Sequence, residues 1–259
     1  MHPQRLLADI GGTNIRLAWQ ASPTGPLNDT RVLPCAQFPT VDAALAAYLQ
    51  EVGVPTPREA AFGIANPVTG DAIRMTNHSW SFSQRAVREA FGFERLVVIN
   101  DFTALALALP LLTPEQLRPV GGGAAVPGAA IALLGPGTGL GVGTLLDLGA
   151  GRFAALPGEG GHVDFAANTE EEDAVLQVMR GELGHVSAER FLSGPGLVNL
   201  YRGLVKSDGR EPEPFAPKDI TERALAGDYL DCRRTLSLFC VLMGRFAGNL
   251  ALNMGTFGG

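Results

Sequence analysis

Two similar strand–turn–strand segments, one in each half of the chain, indicate how this protein is organised. Each segment joins two hydrophobic runs through a turn of glycine and threonine; the segments are LLADIGGTNIRLAW at 6–19 and IALLGPGTGLGVGTLL at 131–146. Only the chemistry of the turns matches, so the repeat is weak. It nevertheless suggests two related lobes that face one ligand.

Strand and helix patterns alternate in the first half, and helices dominate the end of the chain. Residues 110–128, PLLTPEQLRPVGGGAAVPG, are rich in proline and glycine and lack sustained periodicity, which is typical of a linker. We therefore predict an α/β protein with a small domain over 1–110 and a large domain over 111–259. The predicted strands are 6–10, 15–19, 30–35, 60–65, 72–75, 96–99, 129–134, 139–146 and 152–155, and the predicted helices are 41–51, 83–91, 102–109, 170–181, 187–192, 195–206, 219–226 and 230–254.

Composition excludes several classes of protein. The net charge is −6 and the positive charges form no long run, so a nucleic-acid partner is not expected. Three cysteines, Cys35, Cys232 and Cys240, are too sparse for a disulfide framework in a chain of 259 residues, which favours a reducing cytoplasm. No run of about eighteen uninterrupted apolar residues occurs, so no membrane span is predicted.

The first glycine turn follows Asp9 and contains Gly11, Gly12 and Thr13. Adjacent glycines let the backbone approach a ligand closely, and the turn can direct amide N–H groups and the Thr13 hydroxyl at phosphate oxygens. Asp9 would repel a phosphate unless a cation lay between them, so its expected role is to hold Mg²⁺, through water. A tight hairpin in which Asp9 bonds local amides is an equally good interpretation.

The second glycine turn, GPGTGLG at 135–141, lacks the spacing of a dinucleotide-binding motif and is followed by a strand pattern instead of a helix. A Walker A loop is excluded because the chain has no Gly-Lys-Ser/Thr. A hairpin that cradles phosphate, with Thr138 between Gly137 and Gly139 as a hydroxyl donor, is favoured over a merely flexible turn.

Asn100 and Asp101 follow the hydrophobic run LVVI and precede an apolar helix pattern. This is an ordinary place for a helix cap, and capping alone would explain one of the two residues. As a functional pair, Asp101 would accept a proton from an attacking hydroxyl while Asn100 bonds another hydroxyl of the same ligand. Two adjacent polar groups that bind two hydroxyls of one ligand are suited to a sugar.

Three further polar residues, Glu159, His162 and Glu189, lie in or near glycine-rich segments. Carboxylates and an imidazole on such backbone can bond vicinal hydroxyls from several directions. A metal site is the rival interpretation, but no cysteine pair lies nearby and the His-Glu-x-x-His spacing is absent. Glu189 could equally be a solvated helix residue. His2, His78 and His185 are interpreted as structural or exposed.

Taken together, these motifs resemble the bacterial glucokinase family of the hexokinase and actin-like ATPase superfamily over essentially the whole chain. The segments that carry the resemblance are ADIGGTNIRLA, ANPVTGDAIRMTNHSWSFS, VVINDFTALALALP, GPGTGLGVG, LPGEGGHVDFA, HVSAERFLSGPGLVNLYR and DCRRTLSLFCVLMGRFAGNLALNMGTFGG. The resemblance implies a two-lobed actin-like ATPase (ribonuclease H-like) α/β fold, with a mixed sheet in each lobe and an interlobe cleft for glucose and ATP.

The resemblance also implies roles for individual residues. Asp101 would be the general base for transfer of the γ-phosphate to the 6-hydroxyl of glucose, and a homodimer is expected. The cysteine cluster that binds zinc in a related group is absent after His162, so zinc is not expected. The implied glucose ligands are Asn100, Asp101, Glu159, His162 and Glu189, and the implied ATP and Mg²⁺ site comprises Ala8, Asp9, Ile10, Gly11, Gly12, Thr13, Gly137, Thr138 and Gly139, with Asp9 toward the metal.

Relatives in this family continue past the GTFGG motif at 255–259 into a further strand and closing helices. We therefore expect part of the nucleotide pocket to be missing, and apolar surface and a strand edge to be exposed near this end. A sugar sensor without turnover is an alternative function, and a kinase of another hexose is a second. Polyphosphate or ADP could replace ATP as the phosphoryl donor.

Overall fold

The computed structural model describes residues 4–22, 25–75 and 78–259. The chain divides into two compact units, Met1–Leu111 and Leu112–Gly259. The sequence predicted two domains with a boundary at residue 110. Compact units do not show that each part folds independently, so the two domains stay a prediction.

The first unit contains seven strands and three helices in its described residues. These are β1 (Arg5–Ile10), β2 (Asn14–Gln20), β3 (Leu27–Pro34), α1 (Val41–Val52), β4 (Glu59–Ile64), β5 (Ala72–Arg74), β6 (Ser81–Ser83), α2 (Gln84–Phe91), β7 (Arg95–Asn100) and α3 (Asp101–Ala108). Strand β6, which pairs with β5, was not predicted because its three residues, Ser-Phe-Ser, are too short to show a period.

Five of these strands form a mixed sheet in the order β3-β2-β1-β4-β7. The pairs β1–β2 and β2–β3 are antiparallel, whereas β1–β4 and β4–β7 are parallel. In this register Ile10 lies beside Ile64, and Ile64 lies beside Asn100. Because parallel strands end on the same side, the turn after Ile10 and the start of α3 after Asn100 share one edge of the sheet.

The core of the first unit lies between this sheet and its helices. Helix α1 begins at Val41 because the Thr40 side chain accepts a hydrogen bond from the Ala43 N–H (3.2 Å). It ends at Gly53, whose φ of 65° suits glycine. Leu45 and Tyr48 are fully buried, and burial of an aliphatic side chain such as Leu45 stabilises the fold by about 1.5–3 kcal/mol.

The second unit begins with three strands and continues mainly with helices. Its elements are β8 (Ile131–Pro136), β9 (Leu140–Asp147), β10 (Phe153–Gly158), α4 (Glu170–Leu183), α5 (Gly194–Ser207), α6 (Pro217–Ala226) and α7 (Leu230–Met254). The helix predicted at 187–192 is wrong: residues Ala188–Arg190 form one 3-10 turn. Ser193 immediately caps α5 by accepting from the Gly196 N–H (3.0 Å), so the chain must leave the turn there.

The sheet of the second unit has the order β10-β9-β8 and is antiparallel throughout its named strands. The prediction of a mixed sheet in both lobes is therefore wrong for the described part of this unit. The reason is the connection length, because residues 137–139 and 148–152 are too few for the crossover that parallel strands require.

The end of the second unit exposes apolar side chains, as expected from the sequence. Leu252 and Phe257 are 86% and 70% exposed. The expected open strand edge is covered in part, because the Gly258 N–H donates to the Ala130 carbonyl (2.9 Å) and the Ala132 N–H donates to the Gly259 carbonyl (3.0 Å).

Helix α7 has 25 residues and a mean hydropathy of 1.5 in its most apolar window, which is long and apolar enough to cross a membrane. Within the second unit, 22% of that window is buried. The helix packs against α5 and α6, and its buried residues include Thr235 and Leu242. It also carries three charged residues, Asp231, Arg234 and Arg245, that form ion pairs with other parts of this unit.

Candidate active site

The turn between β1 and β2 is held in place by its own backbone and by the residue after β3. The Gly11 N–H donates to the Asn14 carbonyl (2.9 Å), and the Cys35 N–H donates to the Thr13 carbonyl (2.9 Å). A Cβ on Gly11 would lie 3.3 Å from the Asn14 oxygen, so this turn is tight at that residue. Thr13 is exposed at the turn. Its hydroxyl and the turn backbone are thus presented at the edge of the sheet.

Ala8 and Ile10, which the resemblance included in the nucleotide site, have buried side chains. Both pack in the core of the first unit. Any contact they make with a nucleotide is therefore through the backbone of β1, whereas Thr13 offers a side chain.

Asp9 forms an ion pair with Arg16, which lies directly opposite it on β2. The Arg16 Nη1 atom is 2.7 Å from the Asp9 Oδ2 atom, and both side chains are at least half exposed. The nearest cation to Asp9 in the structure is thus a guanidinium group. In the described residues no group of three or more His, Cys, Asp or Glu is arranged to hold a metal, so the role of Asp9 toward Mg²⁺ stays a prediction.

Asn100 is the cap of helix α3. Its Oδ1 atom accepts hydrogen bonds from the N–H groups of Phe102 (2.9 Å) and Thr103 (3.1 Å). Its Nδ2 group donates to the Asp101 carboxylate (3.0 Å). Capping therefore explains Asn100, and the position of Asp101 needs a different reason.

Asp101 is the first residue of α3 and is half-buried. Its Oδ1 atom accepts from the Phe102 N–H (2.9 Å) as well as from Asn100. Two hydrogen bonds to one oxygen fix the direction of the carboxylate, which a residue that accepts a proton from a bound hydroxyl requires.

Asn66 is a residue of this site that the sequence interpretation assigned only to a turn. It is 6% exposed, its Nδ2 group donates to the Arg74 carbonyl (3.1 Å), and its own carbonyl accepts from Asn100 Nδ2 (3.4 Å). Asn66 lies just past the end of β4, the strand between β1 and β7. A polar residue directly after a predicted strand was the sequence signal that could have identified it. Asn66 helps to orient Asn100.

Replacing Asn66 by Ala is expected to lower the free energy of unfolding by about 0.5–1.5 kcal/mol, because the hydrogen bond from the buried Asn66 amide to the Arg74 carbonyl is lost. Urea unfolding measures this loss. Asn199 is the matched control: its Nδ2 group also donates to a backbone carbonyl, of Arg190 (2.9 Å), but at a more exposed position. The idea is wrong if Asn66→Ala costs no more than Asn199→Ala.

The glycine turn between β8 and β9 belongs to the second unit. The Gly137 N–H donates to the Gly139 carbonyl (2.7 Å), and the Gly194 N–H at the start of α5 donates to the Gly137 carbonyl (2.8 Å). Thr138 lies exposed at the tip. The turn is therefore anchored to α5 and presents its hydroxyl to solvent.

The structure brings Glu159, His162 and Glu189 together in the second unit. His162 Nε2 lies 3.7 Å from a Glu159 carboxylate oxygen, and His162 Nδ1 lies 4.0 Å from Glu189 Oε1. These distances are too long for hydrogen bonds, so the three groups do not satisfy one another. Their side chains are 57%, 60% and 26% exposed, in the order given. They can therefore bind the hydroxyls of a ligand.

Glu189 is not a solvated helix residue. Its Oε2 atom accepts a hydrogen bond from the Leu140 N–H (2.9 Å), at the end of the glycine turn. The sequence did not indicate this contact, because the two residues are 49 positions apart.

A family model described as "Glucokinase" matches residues 6–259. The chain belongs to the glucokinase family. A glucokinase of Yersinia enterocolitica serotype O:8 / biotype 1B is 54% identical over 254 residues, which are 98% of this chain and 78% of that protein. These findings confirm the resemblance that the motifs carry, and they confirm that the chain is a kinase by family.

Solved glucokinase structures have the same fold. A glucokinase from an Antarctic psychrotroph superimposes with a TM-score of 0.85 at 36% identity, over 99% of this chain and 81% of that one. A glucokinase from Balamuthia mandrillaris, solved in complex with glucose, has a TM-score of 0.76 at 22% identity, over 97% and 77% of the two chains. The α/β fold with a mixed sheet is that of glucokinases.

Two further histidines, His78 and His185, have partners among the described residues of this glucokinase-family chain. The Trp80 N–H donates to His78 Nδ1 (3.2 Å), and His185 Nε2 lies 2.6 Å from Asp164 Oδ1. The interpretation of both as structural or exposed agrees with these contacts. His2 lies outside the described residues, as do Thr76 and Asn77 of the polar loop before β6.

Proposed function

We propose that this chain transfers the γ-phosphate of ATP to the 6-hydroxyl of glucose, with Asp101 as the general base. The observation that carries the proposal is the shared sheet edge of the first unit. The glycine turn after β1 and Asp101 after β7 are separated there by one strand, β4. Two strand spacings place them about 10 Å apart, a distance suited to a phosphate chain on one side and a hydroxyl on the other.

In the proposed reaction the sugar hydroxyl oxygen attacks the γ-phosphorus, and the bond between that phosphorus and ADP breaks. Asp101 takes the hydroxyl proton as the new bond forms. Asn100 binds a neighbouring hydroxyl by exchanging its longest hydrogen bond, from Nδ2 to the Asn66 carbonyl (3.4 Å), for one to the ligand. Glu159, His162 and Glu189 bind further hydroxyls, and they are the candidates for distinguishing one hexose from another.

The two glycine turns are the proposed phosphate sites, through backbone N–H groups and the hydroxyls of Thr13 and Thr138. A lone exposed carboxylate at Asp9 fits a Mg²⁺ ion that keeps most of its water, and Arg16 beside it supplies a second positive charge. Bound Mg²⁺ would neutralise charge that develops on the transferred phosphoryl group.

The further details are proposals of the same kind. We place the protein in the cytoplasm as a homodimer, with no nucleic-acid or membrane partner and without zinc. All three cysteines are free, with Cys35 and Cys232 buried and Cys240 exposed, which is consistent with a reducing compartment. The two-lobed actin-like ATPase arrangement with an interlobe cleft is also proposed from the family.

The proposal is tested by measuring ATP-dependent glucose 6-phosphate formation by the purified chain. The expected result is turnover that requires ATP and Mg²⁺, with kcat/KM for glucose above that for mannose, fructose and N-acetylglucosamine. Glucose binding without turnover would instead identify a sugar sensor. A higher kcat/KM for another hexose would reassign the substrate.

A further inference from the structure

Gly139 lies where the glycine turn of the second unit meets Glu189. A Cβ on Gly139 would lie only 2.4 Å from Glu189 Oε2 and 3.2 Å from its Cδ atom. The same Oε2 atom accepts the Leu140 N–H (2.9 Å). The carboxylate therefore occupies the space that any side chain at position 139 would need.

The two oxygens of Glu189 face different partners. Oε2 is bound to the backbone of the turn, whereas Oε1 lies 4.0 Å from His162 and so faces the other proposed sugar ligands. The Glu189 carbonyl accepts from the Ser193 hydroxyl (2.8 Å) at the start of α5. The backbone of Glu189 is thus fixed, and the contact with the turn sets the direction of its carboxylate.

The turn is also held at its other end. The Gly194 N–H donates to the Gly137 carbonyl (2.8 Å), so residues 137–140 and 189–194 are linked at both ends. Gly137 has a different environment from Gly139, because a Cβ there would meet only the Gly139 carbonyl oxygen, at 4.0 Å. Two glycines of one turn therefore differ in whether they contact Glu189.

We propose that Gly139 is a positioning residue for the sugar, although it belongs to a phosphate turn. It acts through Glu189, because only a residue without a Cβ lets the carboxylate bind the Leu140 amide. This inference rests on the proposed function, in which the turn binds phosphate and Glu189 binds a sugar hydroxyl.

Replacing Gly139 by Ala is expected to raise KM for glucose by about tenfold to a hundredfold, the effect of losing one hydrogen bond to a charged group. KM for ATP should change less. The added methyl group meets the end of a flexible side chain, so Glu189 rotates away and Tm stays close to that of the wild type. Initial rates at varied glucose and varied ATP, with a thermal melt, measure all three quantities.

Gly137→Ala is the comparison, since it adds the same methyl group to the same turn without touching Glu189. Because Gly137 belongs to the proposed phosphate turn, its KM for ATP can rise, but its KM for glucose at saturating ATP should stay within about threefold of the wild type. In a Glu189→Asp background the shorter side chain no longer reaches the methyl group, so adding Gly139→Ala should raise KM for glucose little further. Equal glucose KM values for Gly139→Ala and Gly137→Ala, or additive effects of Gly139→Ala and Glu189→Asp, would overturn the inference.

The same experiment separates this inference from the proposed function. If the wild type binds glucose without phosphorylating it, the proposed function fails, and glucose Kd values from calorimetry replace KM in the comparison. If the wild type binds no glucose at all, both proposals fail.

Discussion

Replacing Asp101 by Asn lowers kcat for glucose phosphorylation by about 10²- to 10⁴-fold, the usual contribution of a general base. The amide has the shape of the carboxylate and can still accept the Phe102 N–H, so α3 and the Asn100 cap are expected to remain in place. KM for glucose should change only a few-fold, because the other proposed sugar ligands are unchanged. Steady-state rates over a range of glucose concentrations measure both constants.

The matched control for this prediction is Asp173→Asn, which changes an exposed carboxylate on α4. It should leave kcat within about twofold, as expected for a surface substitution. A kcat for Asp101→Asn within about threefold of the wild type would refute the role of Asp101. A lowered Tm together with a lowered kcat would point to a damaged helix start instead.

The second large effect concerns an ion pair between two helices of the second unit in which the carboxylate is buried and the Arg245 side chain is 28% exposed. The side chain of Glu172 on α4 is 2% exposed, and its Oε2 atom accepts from Arg245 Nη1 on α7 (2.6 Å) and from the Asn168 N–H (2.7 Å). Replacing Arg245 by Met keeps the side-chain volume but leaves this carboxylate buried without its cation. We expect a loss of about 3 kcal/mol or more in the free energy of unfolding at pH 7.

The pKa of Glu172 determines how the stability from this ion pair changes with pH. Burial alone raises the pKa of the Glu172 carboxyl, but the hydrogen bonds from Arg245 and Asn168 and the charge of Arg245 outweigh it, so the net pKa lies below its usual value. The pair therefore stabilises the folded state above the unfolded pKa of about 4.3, and this stability is lost as the pH falls through the lower folded pKa.

In Arg245→Met the burial of Glu172 still raises its pKa, but the hydrogen bond and the charge of Arg245, which lowered it, are gone. The pKa of Glu172 therefore rises, and the folded state favours the protonated carboxyl. The destabilisation should then be largest near pH 7 and smaller near pH 4, as measured by urea unfolding at both values. Adding Glu172→Gln removes the buried charge and should restore part of the stability at pH 7. Arg180→Met, at an exposed position on α4, should cost less than about 0.5 kcal/mol. A loss of equal size at both pH values would contradict the prediction.

The first glycine turn and the pair Asn100 and Asp101 could be predicted from sequence because each follows a hydrophobic strand directly. The run LVVI predicts a buried strand, so Asn100 and Asp101 were expected at its end, and β7 indeed ends at Asn100. The sequence could not distinguish which residue of the pair is the cap. In the structure both side chains accept from the Phe102 N–H, and Asn100 also accepts from the Thr103 N–H, which makes it the cap.

The contacts that sequence did not predict are those between distant segments. Asn66 reaches Arg74 across a turn and Asn100 on a neighbouring strand. Glu189 reaches Leu140 because Gly139 leaves room for it. Such contacts depend on how the elements pack against one another. Hydrophobic periodicity and turn composition predict the individual elements but not their packing. Likewise, the 3-10 turn at Ala188–Arg190 reflects the cap at Ser193, which lies just beyond the window that predicted a helix.

The register of β1, β4 and β7 sets the distance between the proposed phosphate turn and the proposed base, and it does not involve the proposed sugar ligands of the second unit. The spacing between the proposed phosphate turn and the proposed base is set by backbone hydrogen bonds between three parallel-aligned strand ends. Side chains contribute little to this spacing, so substitutions elsewhere in the chain should leave it unchanged. If the proposed roles hold, substitutions among Glu159, His162 and Glu189, which belong to the other unit, would change which hexose is accepted and leave this spacing in the first unit unaltered.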